Sequence, residues 1–166
     1  DDQGRPMVPS GNWIPLGHCG IWQDVAWVER SEVHVSDVTI RTSVRNHRLQ
    51  VTFEVTNASA RERRIHVQAD IRPWKKGRDP EGVAPVLSIP EFELILPSRN
   101  VLTHTVEVAW SDASPWLPES PALYTLRTAV CEGGTTLDVS HERFGFREVW
   151  IDGPHLMLNG YPMHLF

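Results

Sequence analysis

Apolar and polar residues alternate along most of this chain, a pattern typical of β-strands that bury one face and expose the other. The alternation is most regular over residues 49–56 and 65–72. Shorter stretches with the same period lie at residues 92–96, 102–108, 124–130 and 137–139. Because no stretch keeps a helical spacing of apolar residues, the sequence predicts an all-β protein.

The breaks in this pattern predict how the strands connect. Residues 33–40 form an earlier strand whose phase changes at Ser36-Asp37, which predicts a β-bulge or a strand that switches sheets. Asn46-His47 and Gly133-Gly134 predict hairpin turns, and residues 57–60 a longer loop. About seven strands at spacings of about ten residues, without crossover helices, predict an immunoglobulin-like antiparallel β-sandwich.

Two regions fit the strand pattern poorly. Residues 72–90 hold four prolines and two glycines, so they are predicted to form the one long irregular connection, where mobility is expected. Residues 1–30 are also punctuated by glycine and proline. Only residues 21–28 are predicted as a strand there.

The C-terminal stretch predicts a strand that leaves the sandwich and then a separate hairpin. Phe144 and Phe146 alternate around Gly145, so both rings are expected on one face, with the glycine allowing another backbone to come close. Asn159-Gly160 lies between apolar residues on both sides, which is a strong signal for a hairpin turn.

Three segments carry a resemblance to a known family. Residues 20–29 look like the closing strand of an N-terminal sugar-binding jelly roll, and Trp110 with residues 116–124 looks like the stretch before a late immunoglobulin-like strand. Residues 144–148 with 158–160 look like a junction that leads into a catalytic barrel. In this order, the segments resemble glycoside hydrolase family 2, which holds β-galactosidases, β-glucuronidases and β-mannosidases.

The resemblance implies three parts in the chain. Residues 1–30 would be a remnant and linker of the jelly roll, residues 31–148 the immunoglobulin-like sandwich, and residues 149–166 the truncated start of the (β/α)8 barrel. The implied partners are the neighbouring jelly-roll and barrel domains of the same polypeptide. The residues expected to form the motif at the domain interfaces are Ile21, Trp22, Val25, Trp27, Phe144, Phe146, Arg147, Glu148, Trp150, Asn159 and Gly160.

The same resemblance implies that the chemistry lies elsewhere. Retaining glycosidases use two carboxyl groups, and in this family both are barrel glutamates, of which the acid/base follows an asparagine. None of the five asparagines here precedes a glutamate, so no catalytic residue, cofactor or metal is expected in this chain. The chain is interpreted as a non-catalytic spacer of an enzyme that hydrolyses β-galactosides, β-mannosides or β-glucuronides. The alternatives are an autonomous carbohydrate-binding module and a fibronectin-like interaction domain of a non-enzyme.

Charge and hydropathy argue against two classes of partner. The formal net charge is −5 and the 16 lysines and arginines are scattered, so nucleic acid is not expected. No apolar run approaches the length of a membrane span, so no membrane partner is expected. Exposed apolar residues are expected where neighbouring domains would pack, at Trp22, Trp27, Trp150 and Leu165, and such patches favour self-association.

The cysteines and histidines do not suggest a metal site. Cys19 and Cys131 lack metal-site spacing, and two unpaired thiols are favoured over a bridge, so the redox compartment stays open. His66, His104 and His141 fall on three predicted strands. Since His66 is on a polar phase and His104 on an apolar phase, these two are expected on opposite faces.

Three further residues have a candidate role. The seven tryptophans are interpreted mainly as core or interface anchors, but Trp74, at the rim of the irregular connection, is the candidate sugar contact. Tyr124 is predicted to be a corner tyrosine whose hydroxyl bonds to nearby backbone. Asn57 with Ala58-Ser59 matches a glycosylation acceptor, which matters only in a glycosylating secretory route.

Overall fold

The computed structural model describes residues 25–163 of the 166-residue chain. The strands of this part are β1 (Val33–Ser43), β2 (Arg48–Asn57), β3 (Arg63–Pro73), β4 (Leu87–Leu96), β5 (Asn100–Ala109), β6 (Tyr124–Glu132), β7 (Thr135–Phe144), β8 (Val149–Asp152), β9 (His155–Leu158) and β10 (Tyr161–Met163). A single 3-10 turn, Pro80–Gly82, lies between β3 and β4. No helix among the described residues has the length and apolarity needed to cross a bilayer.

The first seven strands form two antiparallel sheets that pack face to face. Their strand orders are β1-β2-β5 and β4-β3-β6-β7. This arrangement confirms the prediction of an all-β, immunoglobulin-like sandwich of about seven strands. The last three strands form a separate antiparallel sheet in the order β10-β9-β8, here named the exit sheet.

The core lies between the two sheets of the sandwich, where the predicted apolar phases meet. The apolar residues of β2 and β3 that are fully buried are Leu49, Val51, Phe53, Val55, Ile65, Val67 and Ile71. Their polar neighbours in sequence stay exposed or half-buried, as the alternation predicts. Apolar burial on this scale is the main force that holds such a sandwich together.

The predicted irregularities of the strands are confirmed. A bulge interrupts the pairing of β1 with β2 between Val35 and Asp37. β1 and β2 are joined by a hairpin turn in which His47 has a φ of 50°. β6 and β7 are joined by Gly133-Gly134, whose φ values of 56° and 82° are those of a type I′ turn.

The irregular connection between β3 and β4 is shorter than predicted. β3 continues through Pro73 and β4 already begins at Leu87, so the prediction of an irregular segment over residues 72–90 was wrong at both ends. Pro90 lies inside β4 because this strand is at the edge of its sheet and its pairing shifts register between Ile89 and Phe92. At such a position the backbone nitrogen does not have to donate to a neighbouring strand, so a proline, which has no N–H, is tolerated.

The strand predicted at residues 21–28 does not form where the structure can be described. Residues 25–32 are irregular, and the side chains of Val25 and Trp27 are 76% and 94% exposed. An apolar pattern makes a strand only when a neighbouring strand pairs with it. Residues 21–24 lie outside the described part, as does Cys19, so the pairing of Cys131 with Cys19 stays untested.

Asn57 is a buried structural residue. Its side chain is completely buried, and its amide nitrogen donates to the carbonyl oxygens of Arg61, Leu96 and Pro97 at 2.9, 3.1 and 2.9 Å. Its amide oxygen accepts from the backbone nitrogen and the hydroxyl of Ser59 at 3.0 and 2.6 Å. The amide that a glycan would need is therefore used inside the fold, and the acceptor motif is not available in the folded chain.

Candidate functional site: the exit junction

The chain leaves the sandwich through a short crossing, residues 145–148, between the end of β7 and the start of β8. This crossing and the residues that bond to it are here named the exit junction. This crossing runs past the end of β1, which belongs to the other sheet. The hydroxyl of Thr42 donates to the carbonyl oxygen of Arg147 and accepts from the backbone nitrogen of Arg147 at 3.2 Å. The exit is thus tied to both sheets of the sandwich.

The carboxylate of Glu148 adds further bonds between the crossing and the end of β1 with its following turn. The carboxylate accepts from the hydroxyl of Ser43 at 3.2 Å, from the backbone nitrogen of Arg45 at 3.0 Å and from the Arg45 guanidinium at 2.8 Å and 2.5 Å. Its side chain is only 13% exposed. Burial by itself raises the pKa of Glu148, but the hydrogen bonds from Arg45 and Ser43 outweigh burial and hold the pKa below its ordinary value.

The lowered pKa of Glu148 makes the stability of the junction depend on pH. Because the carboxylate binds its proton less readily when folded, its stabilising effect is complete above the ordinary value of 4.5 and is lost as the pH falls through the lower folded pKa. Glu148→Gln is expected to lower the free energy of unfolding by about 1–2 kcal/mol at pH 7. The difference from the unchanged chain should shrink below about pH 4.

Urea unfolding of both chains across pH 3–7, a range about the ordinary carboxyl pKa, would measure this effect. Glu107→Gln is the matched control, since Glu107 pairs with Arg48 on the surface and is 45% exposed. A stability difference for Glu148→Gln that is the same at every pH would contradict the role given to the carboxylate.

Asn159 connects the exit sheet to this crossing. Its amide oxygen accepts from the backbone nitrogen of Glu148 at 2.7 Å, and its own backbone nitrogen donates to the carbonyl oxygen of Glu148 at 2.9 Å. Its amide nitrogen donates to the carbonyl oxygen of Trp116 at 2.7 Å. The φ values of Asn159 and Gly160, 51° and 94°, confirm the predicted hairpin turn between β9 and β10.

Trp116 packs against the glycine of the crossing. Its backbone nitrogen donates to the carbonyl oxygen of Phe146 at 2.8 Å. A Cβ added to Gly145 would lie 2.9 Å from the Cβ of Trp116, closer than side-chain carbons approach one another. Gly145 therefore allows a close approach, as expected, but the group that comes close is the side chain of Trp116 and not another backbone.

Four aromatic rings form one cluster beneath the junction. Phe146 lies 5.3 Å from Trp110, Trp110 lies 4.8 Å from Tyr124, and Tyr124 lies 5.8 Å from Phe144 between ring centroids. This confirms that Phe144 and Phe146 turn to the same side. Phe146 is 2% exposed, so its ring belongs to the core of the sandwich and is not available to a neighbouring domain.

The corner tyrosine is also confirmed. The hydroxyl of Tyr124 accepts from the backbone nitrogen of Ser114, ten residues upstream, at 2.8 Å. This bond fixes the segment between β5 and β6, which carries Trp116 to the crossing. The tyrosine corner therefore helps to place the junction.

One face of the exit sheet is apolar; three of its six residues are exposed, two are half-buried and Leu158 is buried. By the strand pairing, the residues on this face are Val149, Ile151, Leu156, Leu158, Tyr161 and Met163. Val149, Ile151 and Tyr161 are 53%, 78% and 68% exposed. Trp150 points to the opposite face, where the Arg45 guanidinium lies 4.2 Å from the centre of its ring. Trp22 and Leu165, which were expected in the same patches, lie outside the described residues.

The structure brings together some of the interface residues expected from the sequence and not others. Arg147, Glu148 and Asn159 meet at the junction, with Gly160 in the adjoining turn. Val25 and Trp27 lie exposed on the irregular segment before β1. Ile21 lies outside the described part, as Trp22 does.

The sequence did not predict a role for Thr42, Ser43 and Arg45, the residues that hydrogen-bond to the crossing. Arg45 lies in the turn after β1, next to the predicted Asn46-His47 turn. Its partner Glu148 is 103 residues away. A pattern of local alternation carries no information on such a distant pair.

The three histidines considered for a metal cluster, His66, His104 and His141, form no such cluster in the described part of the chain. His66 lies on an exposed face between Glu91 and Glu93, at 3.6 and 3.5 Å. His104 stacks on Phe92 between the edge strands β5 and β4, with 4.0 Å between ring centroids. Over residues 25–163, no group of three metal-binding side chains is close enough to hold an ion.

Comparisons with known proteins agree with this architecture. The sequence profile of glycosyl hydrolases family 2 matches residues 33–147, more than half of the chain. A Formosa agariphila protein assigned as a beta-glucuronidase is 25% identical over 95% of this chain, which spans 15% of that protein.

Two solved structures share the fold. The family 2 beta-galacturonidase of Eisenbergiella tayi matches 81% of this chain with a TM-score of 0.69 and 22% identity, over 22% of its own length. The beta-glucuronidase of Bacteroides uniformis matches 76% with a TM-score of 0.60 and 21% identity, over 15% of its length. The profile match over most of the sandwich shows that this chain belongs to glycosyl hydrolase family 2.

Proposed function

We propose that this chain is a non-catalytic scaffold domain of a family 2 glycosidase. The single observation that carries the proposal is the exit junction, in which Thr42, Arg45 and Trp116 hold the crossing that leads to the exit sheet. Such a set of bonds fixes the direction in which the chain leaves the sandwich. A domain that follows would be held in one orientation.

The chemistry of the junction supports a mechanical role. A general acid of a glycosidase needs a raised pKa, so that it still carries its proton near neutral pH. The pKa of Glu148 is shifted in the opposite direction, and its oxygens are occupied by donors from Ser43 and Arg45. This carboxylate is suited to holding structure and not to proton transfer.

The partners we propose are the jelly-roll and barrel domains of the same polypeptide. The chain spans only 15–22% of the length of the relatives given above, and those proteins act on glycosides according to their names. In this proposal the parent hydrolyses a β-glycoside by two glutamates outside this chain. The apolar face of the exit sheet, with Ile151 78% exposed, would pack on the barrel.

The alternative of an interaction domain from a non-enzyme gains no support. The chain belongs to a family of glycosyl hydrolases, and its junction residues are the ones that tie the exit sheet in place. A free-standing adhesion module has no physical need for hydrogen bonds that fix the direction in which its chain leaves the sandwich. Exposed apolar area on the exit sheet also predicts self-association of the isolated chain.

The scaffold role is tested by loosening the junction in the full-length protein that contains this chain. Asn159→Gly keeps the positive φ of the turn without strain and removes the two side-chain bonds to Glu148 and Trp116. We expect glycosidase activity to be lost faster on heating, with little change in KM, because the barrel is held less firmly. The measurement is the half-life of activity at a fixed elevated temperature.

Asn46→Gly is the matched control, since Asn46 is an exposed turn residue whose side chain makes no bond among the described residues. The scaffold proposal is contradicted if Asn159→Gly destabilises the isolated chain but leaves the activity half-life of the full-length protein unchanged. In that case the junction would serve only the sandwich.

A further inference from the structure

A cavity opens at the same end of the sandwich as the exit junction. It lies between the end of β3, the start of β4 and the segment that joins β5 to β6, and its volume is about 760 Å³. Pockets that bind small molecules fall in the range of about 300–1,000 Å³. The lining includes Trp74, Val86, Trp110, Asp112 and Tyr124.

The walls of this cavity, here named the Trp74 cavity, are held by backbone bonds. The backbone nitrogen of Trp74 donates to the carbonyl oxygen of Leu123 at 2.9 Å, and that of Val86 to the carbonyl oxygen of Ile71 at 2.8 Å. Trp110 is 6% exposed and forms the base of the cavity with Tyr124. A site with fixed walls loses little entropy when a ligand enters.

The lining combines an aromatic ring with polar groups at the rim. Trp74 is half-buried, and the Arg143 guanidinium lies 5.1 Å from the centre of its ring, which restrains the indole. The carboxylate of Asp112 is exposed and accepts from the hydroxyl of Ser111 at 2.9 Å. That bond uses one of several acceptor positions of a carboxylate and leaves others open to hydroxyl donors.

This combination fits a sugar ring. A hexopyranose has an apolar face of C–H groups, which packs on an indole, and an edge of hydroxyls, which donate to a carboxylate. We infer that the Trp74 cavity binds a neutral hexopyranose unit, with the sugar ring against Trp74 and its hydroxyls donating to Asp112. Among the described residues, Asp112 is the one charged residue in the cavity lining, and Arg143 contacts Trp74 without lining the cavity. A uronate would therefore bring a second carboxylate toward Asp112 and be repelled, so the neutral sugar is favoured. This site goes beyond the scaffold role and does not depend on it.

The test is a titration of the 166-residue chain, labelled with ¹⁵N, with three methyl glycosides. Methyl β-D-galactopyranoside and methyl β-D-mannopyranoside are the neutral probes, and methyl β-D-glucuronide is the acidic one. We expect the indole N–H signal of Trp74 to shift saturably with a neutral probe, with a Kd of about 1–30 mM, as is usual for a small ligand with few contacts. The glucuronide should bind several-fold more weakly.

Two variants with matched controls assign the site. Trp74→Ala should abolish saturable shifts, whereas Trp27→Ala, which removes a 94% exposed indole, should leave them unchanged. Asp112→Asn should weaken the neutral sugar at least about fivefold, whereas Asp152→Asn should not. Asp112 is exposed, so this variant is expected to fold even if Trp74→Ala does not.

Three outcomes would overturn the inference. One is the absence of any saturable shift with the neutral probes up to about 100 mM, which bounds even weak binding. Another is binding that survives Asp112→Asn at full strength, and the third is tighter binding of the glucuronide than of the neutral glycosides. None of these results would affect the scaffold proposal, because that proposal is tested by the activity half-life of Asn159→Gly.

Discussion

Asn57→Ala is expected to lower the free energy of unfolding of this chain by about 3 kcal/mol, because it removes a fully buried amide that satisfies several backbone groups. Three carbonyl oxygens, those of Arg61, Leu96 and Pro97, would lose their shared donor. Leaving buried polar groups without partners costs about 1–3 kcal/mol in typical cases. The measurement is equilibrium unfolding in urea at neutral pH.

Asn57→Asp separates the donor from the acceptor function of this side chain. Aspartate keeps the oxygen that Ser59 contacts but places a second oxygen against three carbonyl oxygens. We expect it to destabilise the chain at least as much as alanine does, because the repulsion adds to the lost bonds. The matched control is Asn100→Ala, since Asn100 is exposed and, over residues 25–163, its side chain bonds only to the next backbone nitrogen, that of Val101.

An Asn57→Ala chain within about 0.5 kcal/mol of the unchanged chain, the range of ordinary surface substitutions, would contradict this structural role. The buried amide also leads to a second expectation. When the chain is produced in a glycosylating host and isolated in the folded state, mass spectrometry should find no glycan on Asn57. A glycan at this position on folded protein would show that the amide is accessible, contrary to its complete burial.

Phe146→Ala is expected to have the largest effect of the substitutions considered, about 3–5 kcal/mol. The ring is 2% exposed and contacts Trp110 in an edge-to-face arrangement, so its removal leaves a cavity under the crossing. The loss should appear both as a lower urea midpoint and as a weaker near-ultraviolet circular dichroism signal from the aromatic cluster.

Tyr161→Ala is the control for this substitution, since Tyr161 is also aromatic but is 68% exposed on the exit sheet. It should change the stability of the isolated chain by less than about 0.5 kcal/mol. A loss for Phe146→Ala as small as the one expected for Tyr161→Ala would mean that Phe146 is not part of the core.

The sandwich could be predicted from the sequence because its strands have one wet and one dry face. Period-two alternation alone identified β2 and β3, and the phase change at Ser36-Asp37 identified the bulge in β1. Turn residues with positive φ, such as Gly133 and Asn159, identified two hairpins, because few other residues adopt that conformation.

Other features escaped prediction for identifiable physical reasons. The start of β4 was not predicted because Pro90 argued against a strand there. An edge strand tolerates a proline at a bulge. The strand predicted at residues 21–28 failed over its described part because pairing depends on a neighbour that local pattern does not reveal. Asn57 matched a glycosylation acceptor, whereas its burial depends on the turn between β4 and β5, about 40 residues on.

The junction was predicted in part. The sequence pointed separately to Trp116, to residues 144–148 and to Asn159, but not to their meeting at one place. The side-chain amide of Asn159 accepts from the backbone nitrogen of Glu148 and donates to the carbonyl oxygen of Trp116, and these bonds make them a single site. Long-range contacts of this kind follow from the topology of the two sheets and not from the spacing of residues along the chain.

The most direct test of a mechanical role is a paired assay of the purified 166-residue chain and the longer family 2 glycosidase that is proposed to contain it. Both would be given nitrophenyl β-galactoside, β-mannoside and β-glucuronide, after circular dichroism has shown that the chain unfolds cooperatively. We predict that the folded chain hydrolyses none of the three substrates, while the longer protein hydrolyses at least one. Hydrolysis by the isolated chain that co-elutes with it and disappears when it is unfolded would contradict the claim that its role is mechanical.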